Sequence, residues 1–171
     1  TLSYGFDLSL DPRTGEKKWS QRLSGAGNTV PVFDDGLVYL VSGDSKAWAI
    51  SANNGRIKWK IDAIGNDTNL ISNNAPATSK KYAVFGFGNG EIYTTFKKGG
   101  YVLWSSSLSG RNDGRVISAI DDIVASPVIV GRNVFVADGS GKVVSLKVES
   151  GERNWTAPFG SSGNLWVAGK S

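Results

Sequence analysis

Short apolar runs recur along the chain, each closed off by turn residues. Leu37–Val41, Tyr82–Phe87 and Val134–Ala137 are followed by Gly43-Asp44-Ser45, Gly88-Asn89-Gly90 and Gly139-Ser140-Gly141. A second β-rich run follows each turn, at Ala47–Ile50, Ile92–Thr95 and Val143–Leu146, with a fourth such run at Phe6–Leu10. Pro31, Pro76 and Pro127 stand ahead of the three fuller units. No long stretch spaces its apolar residues as a helix face would. Short β-rich runs split by turn residues predict strands joined as hairpins.

The runs belong to a repeat. Gly15, Gly55, Gly100 and Gly151 each stand four residues before Trp19, Trp59, Trp104 and Trp155. The tryptophans follow one another at intervals of 40, 45 and 51 residues. Such a period fits propeller blades or helical arrays, and the β-rich runs select the blade. The fold predicted is therefore all-β: a β-propeller of four-stranded antiparallel blades, with about four blades present. Residues 1–21 read as the last two strands of a blade, 28–64, 72–110 and 124–158 as blades, and 163–169 as the first strand of a further one. Unpaired strands at both ends, with no initiator Met, suggest a fragment whose open edges could self-associate.

The glycines suit the turn between the last two strands of each blade, where φ is positive. The tryptophans are assigned to packing between blades rather than to ligand stacking, because a ligand site rarely recurs once per blade. The prolines suit strand starts, which tolerate a missing N–H.

Composition narrows the function. Nineteen Lys and Arg against fifteen Asp and Glu leave a formal charge of +4. The basic residues, among them Lys17, Lys46, Lys80 and Lys97, form no run longer than two. That pattern reads as scattered surface charge and argues against nucleic-acid binding. There is no His and no Cys, so a Ser-His-Asp triad, a thiol nucleophile and a Cys zinc site are excluded for this chain. Asp34-Asp35-Gly36 reads as a hairpin turn, and Asp121-Asp122 as loop surface or partner contact rather than a metal site. Gly86-Phe-Gly-Asn-Gly90 lacks the spacing and the helix of a dinucleotide fingerprint. No cofactor or metal is expected.

Gly-x-x-x-Trp after short strands such as Leu8-Ser-Leu-Asp11 and Trp48-Ala-Ile-Ser51 resembles the pyrroloquinoline-quinone-type propeller repeat. Quinone-dependent dehydrogenases and BamB-type lipoproteins of the outer-membrane β-barrel assembly machinery share it. The lead-ins Leu70-Ile-Ser-Asn-Asn-Ala-Pro-Ala-Thr78 and Ile117-Ser-Ala-Ile-Asp-Asp-Ile-Val-Ala-Ser-Pro-Val-Ile129 resemble those of the BamB type. The resemblance implies an eight-bladed ring of which this chain is a fragment, with a scaffold role and no catalysis. It implies a place on the periplasmic face of the bacterial outer membrane, through an N-terminal lipid anchor absent from this chain. Its partner would be the periplasmic domains of the barrel-forming subunit, with unfolded outer-membrane proteins as a further candidate.

The implied contacts fall on Leu70, Ile71, Asp121 and Asp122. The family pattern has a basic residue where this chain has Ile71, and a second acid where it has Val124. Apolar groups beside charges suit a protein interface, although they could equally tuck under their own loop. The alternative functions are a portion of a quinone-dependent dehydrogenase or a ligand-sensing propeller domain.

Overall fold

A strand buried on both faces must be apolar at nearly every position, and Leu37–Ser42 and Lys46–Ser51 meet that condition. In the computed structural model they lie side by side in the middle of a sheet. The structure describes residues 5–26, 29–63, 74–107, 125–137, 142–158 and 164–168. Among them all regular structure is strand. β1 (Phe6–Leu10) and β2 (Lys17–Arg22) form a two-stranded antiparallel sheet. Three four-stranded antiparallel sheets follow, each in simple chain order. The second holds β3 (Val32–Asp34), β4 (Leu37–Ser42), β5 (Lys46–Ser51) and β6 (Ile57–Asp62). The third holds β7 (Ala77–Thr78), β8 (Tyr82–Gly86), β9 (Glu91–Phe96) and β10 (Val102–Ser107). The fourth holds β11 (Val128–Val130), β12 (Asn133–Ala137), β13 (Val143–Lys147) and β14 (Arg153–Ala157). Residues 164–168 carry no strand, and Trp166 is almost fully exposed. The first strand expected over 163–169 is therefore not formed among them.

The sheets stack face to face, so the core is divided among the spaces between them. Alternation along β4 and β5 sends Leu40, Trp48 and Ile50 to a cluster with Leu23, and Trp19 packs on it. The other face sends Tyr39, Val41, Ala47 and Ala49 to a cluster with Ala83, Phe85, Phe87 and Tyr93, flanked by Trp59. Val84 and Ile92 cross to the opposite side and meet Val134, Val136, Val144, Leu146 and Val148, with Trp104 alongside. Each interior side chain removes apolar area from water at roughly 25 cal/mol per Å², and the three clusters bring side chains of neighbouring blades together.

A buried carboxyl departs from this apolar pattern. Asp7 lies eight residues before its repeat glycine, where the next two sheets carry fully buried Ala47 and Ile92. Asp7 is buried too, and its Oδ2 has no hydrogen-bond partner. Burial pushes its carboxyl above the usual carboxylate range, because desolvation penalises the ionised form. A folded-state pKa above the unfolded one means that ionised Asp7 opposes folding at neutral pH. That opposition fades as pH falls through the raised value. Asp7→Ala is expected to raise the urea midpoint at pH 7, and the gain should shrink on acidification. An unchanged midpoint at pH 7 would contradict the assignment.

Candidate functional site

The repeat glycine and tryptophan build the joints between blades. In every sheet the glycine N–H donates to the carbonyl four residues back: Gly15 to Asp11, Gly55 to Ser51, Gly100 to Phe96 and Gly151 to Lys147, at 2.8–2.9 Å. A register shift then falls at the same point in all four outer hairpins. It leaves Trp19, Trp59, Trp104 and Trp155 opposite Ser9, Ala49, Thr94 and Ser145. A bulge of this kind re-aims the side chain beside it.

Three of these indoles then reach the turn of the following sheet. Trp19 Nε1 donates to the Ala52 carbonyl at 2.8 Å, Trp59 to Lys97 at 3.1 Å and Trp104 to Val148 at 2.9 Å. The acceptor is always the third residue before the repeat glycine. The rings lie so close to Gly55, Gly100 and Gly151 that a Cβ on any of them would meet a ring carbon at 2.6 Å. Trp155 has no such neighbour among the described residues: it is half-exposed and stacks on Phe135 of its own sheet, 5.9 Å between centroids. Gly15 likewise has nothing within 4 Å of a Cβ.

Around Trp59 the joint becomes polar. Tyr39 and Phe85 surround the indole at 5.9 Å each, and the Tyr39 hydroxyl donates to the same Lys97 carbonyl at 3.3 Å. The Lys97 side chain is buried, and its Nζ donates to Asp34 Oδ2 at 2.8 Å. That hydrogen bond holds the Asp34 carboxyl below the usual range. Lys97 is thus no part of the scattered surface charge expected of it: it ties the Asp34-Asp35 hairpin of one blade to the next blade. A buried ammonium must be paired, and its partner lies 63 residues earlier in the chain.

Leu70, Ile71, Asp121 and Asp122 lie outside the described residues, within the connections from β6 to β7 and from β10 to β11. The places where those connections rejoin the sheets are described. Asn74 and Ala125 are both buried, each two residues before its proline, as is Thr29 in the second sheet. The Ala75 N–H donates to Ser126 Oγ at 2.9 Å. The ends of the two connections are therefore hydrogen-bonded to each other, one residue before Pro76 and Pro127. The first strands β7 and β11 also approach one another.

Other polar clusters among the described residues are internally paired. The groove at the end of the fourth sheet is lined by Arg132, Lys147, Glu149 and Glu152. Its charges neutralise each other, Arg132 with Glu149 at 3.3 Å and Lys147 with Glu152 at 2.6 Å. No group of three or more metal-ligating acids stands together among the described residues.

Four-stranded antiparallel sheets in chain order, packed face to face and clasped by a repeated tryptophan on the next turn, define a section of a β-propeller. The chain belongs to the family of outer membrane protein assembly factor BamB, whose model matches residues 7–171. It is 24% identical to the outer membrane protein assembly factor BamB of Moranella endobia, over 93% of this chain and 41% of the relative. It is 29% identical to the quinoprotein alcohol dehydrogenase PedH of Pseudomonas putida, over 92% of this chain and 26% of that enzyme. The crystal structure of BamB from Moraxella catarrhalis superposes with a TM-score of 0.81 at 18% identity, covering 95% of this chain and 50% of that one. The chain thus spans about two fifths of the length of the curated BamB relatives it matches.

Proposed function

We propose that this chain is part of a non-catalytic scaffold subunit of the outer-membrane protein assembly complex, working at the periplasmic face of the outer membrane. In the full-length protein an N-terminal lipid would hold it there. The blade-to-blade clasps make a stiff frame. In this reading the connections from β6 to β7 and from β10 to β11 dock the periplasmic domains of the barrel-forming subunit, through Leu70 and Ile71 on one and Asp121 and Asp122 on the other. The supporting observation is the Ala75–Ser126 hydrogen bond at 2.9 Å. It ties together the points where the two connections rejoin the sheets, so a single partner could engage both.

The test is a pull-down against the isolated periplasmic domains of the barrel-forming subunit, wild type beside Leu70→Ala/Asp122→Ala. The double substitution is expected to weaken binding about 10-fold or more, the scale of one good interface contact, with an unchanged melting temperature. Equal binding by both proteins would discard these residues. Absence of binding, together with a melting temperature raised by calcium and pyrroloquinoline quinone, would favour the dehydrogenase reading that the resemblance to PedH allows.

A further inference from the structure

One end of the third sheet is built differently from the same end of its neighbours. Two turns meet there, the one between β7 and β8 and the one between β9 and β10. The Lys97 N–H joins them by donating to the Lys81 carbonyl at 2.8 Å. The repeat allows comparison position by position. Counted from the proline ahead of each sheet, Lys80 and Lys81 stand where the second sheet has Asp35 and Gly36 and the fourth has Gly131 and Arg132. Counted from the repeat glycine, Lys98 and Tyr101 stand where the second sheet has Asn53 and Arg56 and the fourth has Glu149 and Glu152. The first sheet also has an acid, Glu16, in the place of Tyr101.

Lys80, Lys81 and Lys98 are all exposed. So are Phe96, Tyr101 and Val102, by 46%, 76% and 45%. The Tyr101 ring folds over Gly99 of its own turn, where a Cβ would lie 2.9 Å from it. Tyr82 lies against Phe96, 5.8 Å between centroids, and continues the aromatic surface. Lys80 and Lys81 have no acid partner among the described residues. Lys98 is 3.9 Å from Asp35 of the preceding sheet, an exposed and weak pair that leaves the ammonium open to another anion. On the other side Glu149 pairs with Arg132 at 3.3 Å and accepts from the Tyr82 hydroxyl at 3.4 Å. Residues 74–107 contain four lysines and a single acid, Glu91, which lies at the far end of β9.

Lysines around exposed aromatic rings on a hairpin tip suit a bilayer surface. Tyrosine settles at the level of the headgroups, and lysine lays its stem along apolar surface while its ammonium stays in water. Each ammonium close to an anionic surface adds to the attraction. A protein partner would have to offer a hollow shaped to the tip, whereas a lipid layer yields around it. We propose that this end of the third sheet docks on a bilayer rich in anionic phospholipid. Tyr101 and Phe96 enter the headgroup layer, and Lys80, Lys81 and Lys98 pair with its phosphates. β7 starts at the opposite end of the sheet, hydrogen-bonded there to the start of the fourth. A chain docked in this way therefore holds the points where the two connections rejoin the sheets away from the lipid. The surface shares no residue with the proposed docking sites, and its binding needs neither them nor an N-terminal lipid.

The test is co-sedimentation of the full chain with vesicles of phosphatidylcholine alone and of equal parts phosphatidylcholine and phosphatidylglycerol. Saturable binding to the mixed vesicles is expected, and little to the neutral ones. Lys80→Gln/Lys81→Gln should weaken it at least ~10-fold. Tyr101→Glu, which installs the residue of two sister repeats, should weaken it comparably. Lys17→Gln/Lys18→Gln removes the same charge from exposed positions on β2 and should leave binding unchanged, because a charge acts on the lipid only within a Debye length. All three variants alter exposed residues, and unchanged urea midpoints will show that they fold. No binding to the mixed vesicles, equal binding to neutral ones, indifference to Tyr101→Glu, or equal losses from the two lysine pairs would overturn the proposal. So would capture of a labelled oligoglutamate peptide, lost in Lys80→Gln/Lys81→Gln, by a chain that ignores the vesicles, which would assign the surface to an acidic polypeptide.

Discussion

Gly100→Ala is expected to destabilise the chain about two to three times as much as Gly15→Ala, although the two glycines occupy the same repeat position. Both have positive φ, 70° and 73°, so alanine at either site carries the left-handed strain of about 1–2 kcal/mol. Only Gly100 lies beneath an indole: its Cβ would meet Trp59 Cδ2 at 2.6 Å and Cγ at 2.7 Å. Neither ring nor strand can retreat without opening the cluster of Tyr39, Phe85 and Phe87. Overpacking of that kind adds about 1–3 kcal/mol. Urea unfolding should therefore place Gly100→Ala about 2–5 kcal/mol below wild type and Gly15→Ala about 1–2 kcal/mol below. Equal losses at the two sites would mean that the ring does not rest on the turn.

Removing the ring probes the same joint from the other side. Trp59→Ala is expected to cost about 3–5 kcal/mol, the range for deleting a large aromatic from a core. It strips two aromatic contacts from Tyr39 and Phe85 and removes the donor to the Lys97 carbonyl. Trp59→Phe keeps much of the ring and loses the N–H. Because the Tyr39 hydroxyl still donates to that carbonyl, the lost hydrogen bond should cost only about 1 kcal/mol. Trp155→Ala, whose ring lies against Phe135 of its own sheet and is half-exposed, should cost about 1 kcal/mol. A Trp155 loss as large as that of Trp59 would show that the clasp is not what makes the repeat tryptophan matter.

The contrast explains which parts of the structure were legible in the chain. Gly55 and Trp59 are four residues apart because a turn of fixed hydrogen bonding and a bulge at Lys58 must fit between them. That constraint is local, so it recurs visibly in every repeat. The antiparallel sheets were legible for the same reason: hairpin turns and the strands they join are neighbours in sequence. The acceptor of the Trp19, Trp59 and Trp104 indoles is a backbone carbonyl 33–44 residues further on, and a carbonyl leaves no residue-type signature. Aligning the repeats and asking which turn the tryptophan would next meet could have found it. The burial of Lys97 is not legible in the sequence, because it depends on a partner distant in the chain, Asp34, and lysine is ordinarily a surface residue. Leu70, Ile71, Asp121 and Asp122 came from resemblance to a family rather than from periodicity, since inserts between blades obey no repeat.

The most direct test of the scaffold reading is site-specific photo-crosslinking in cells, with the reactive residue placed at position 70, at 122 or at the exposed Ser20 of β2. The account predicts adducts with the barrel-forming subunit from 70 and from 122, and none from 20. Absence of adducts from both 70 and 122, or equal yields from all three positions, would contradict it.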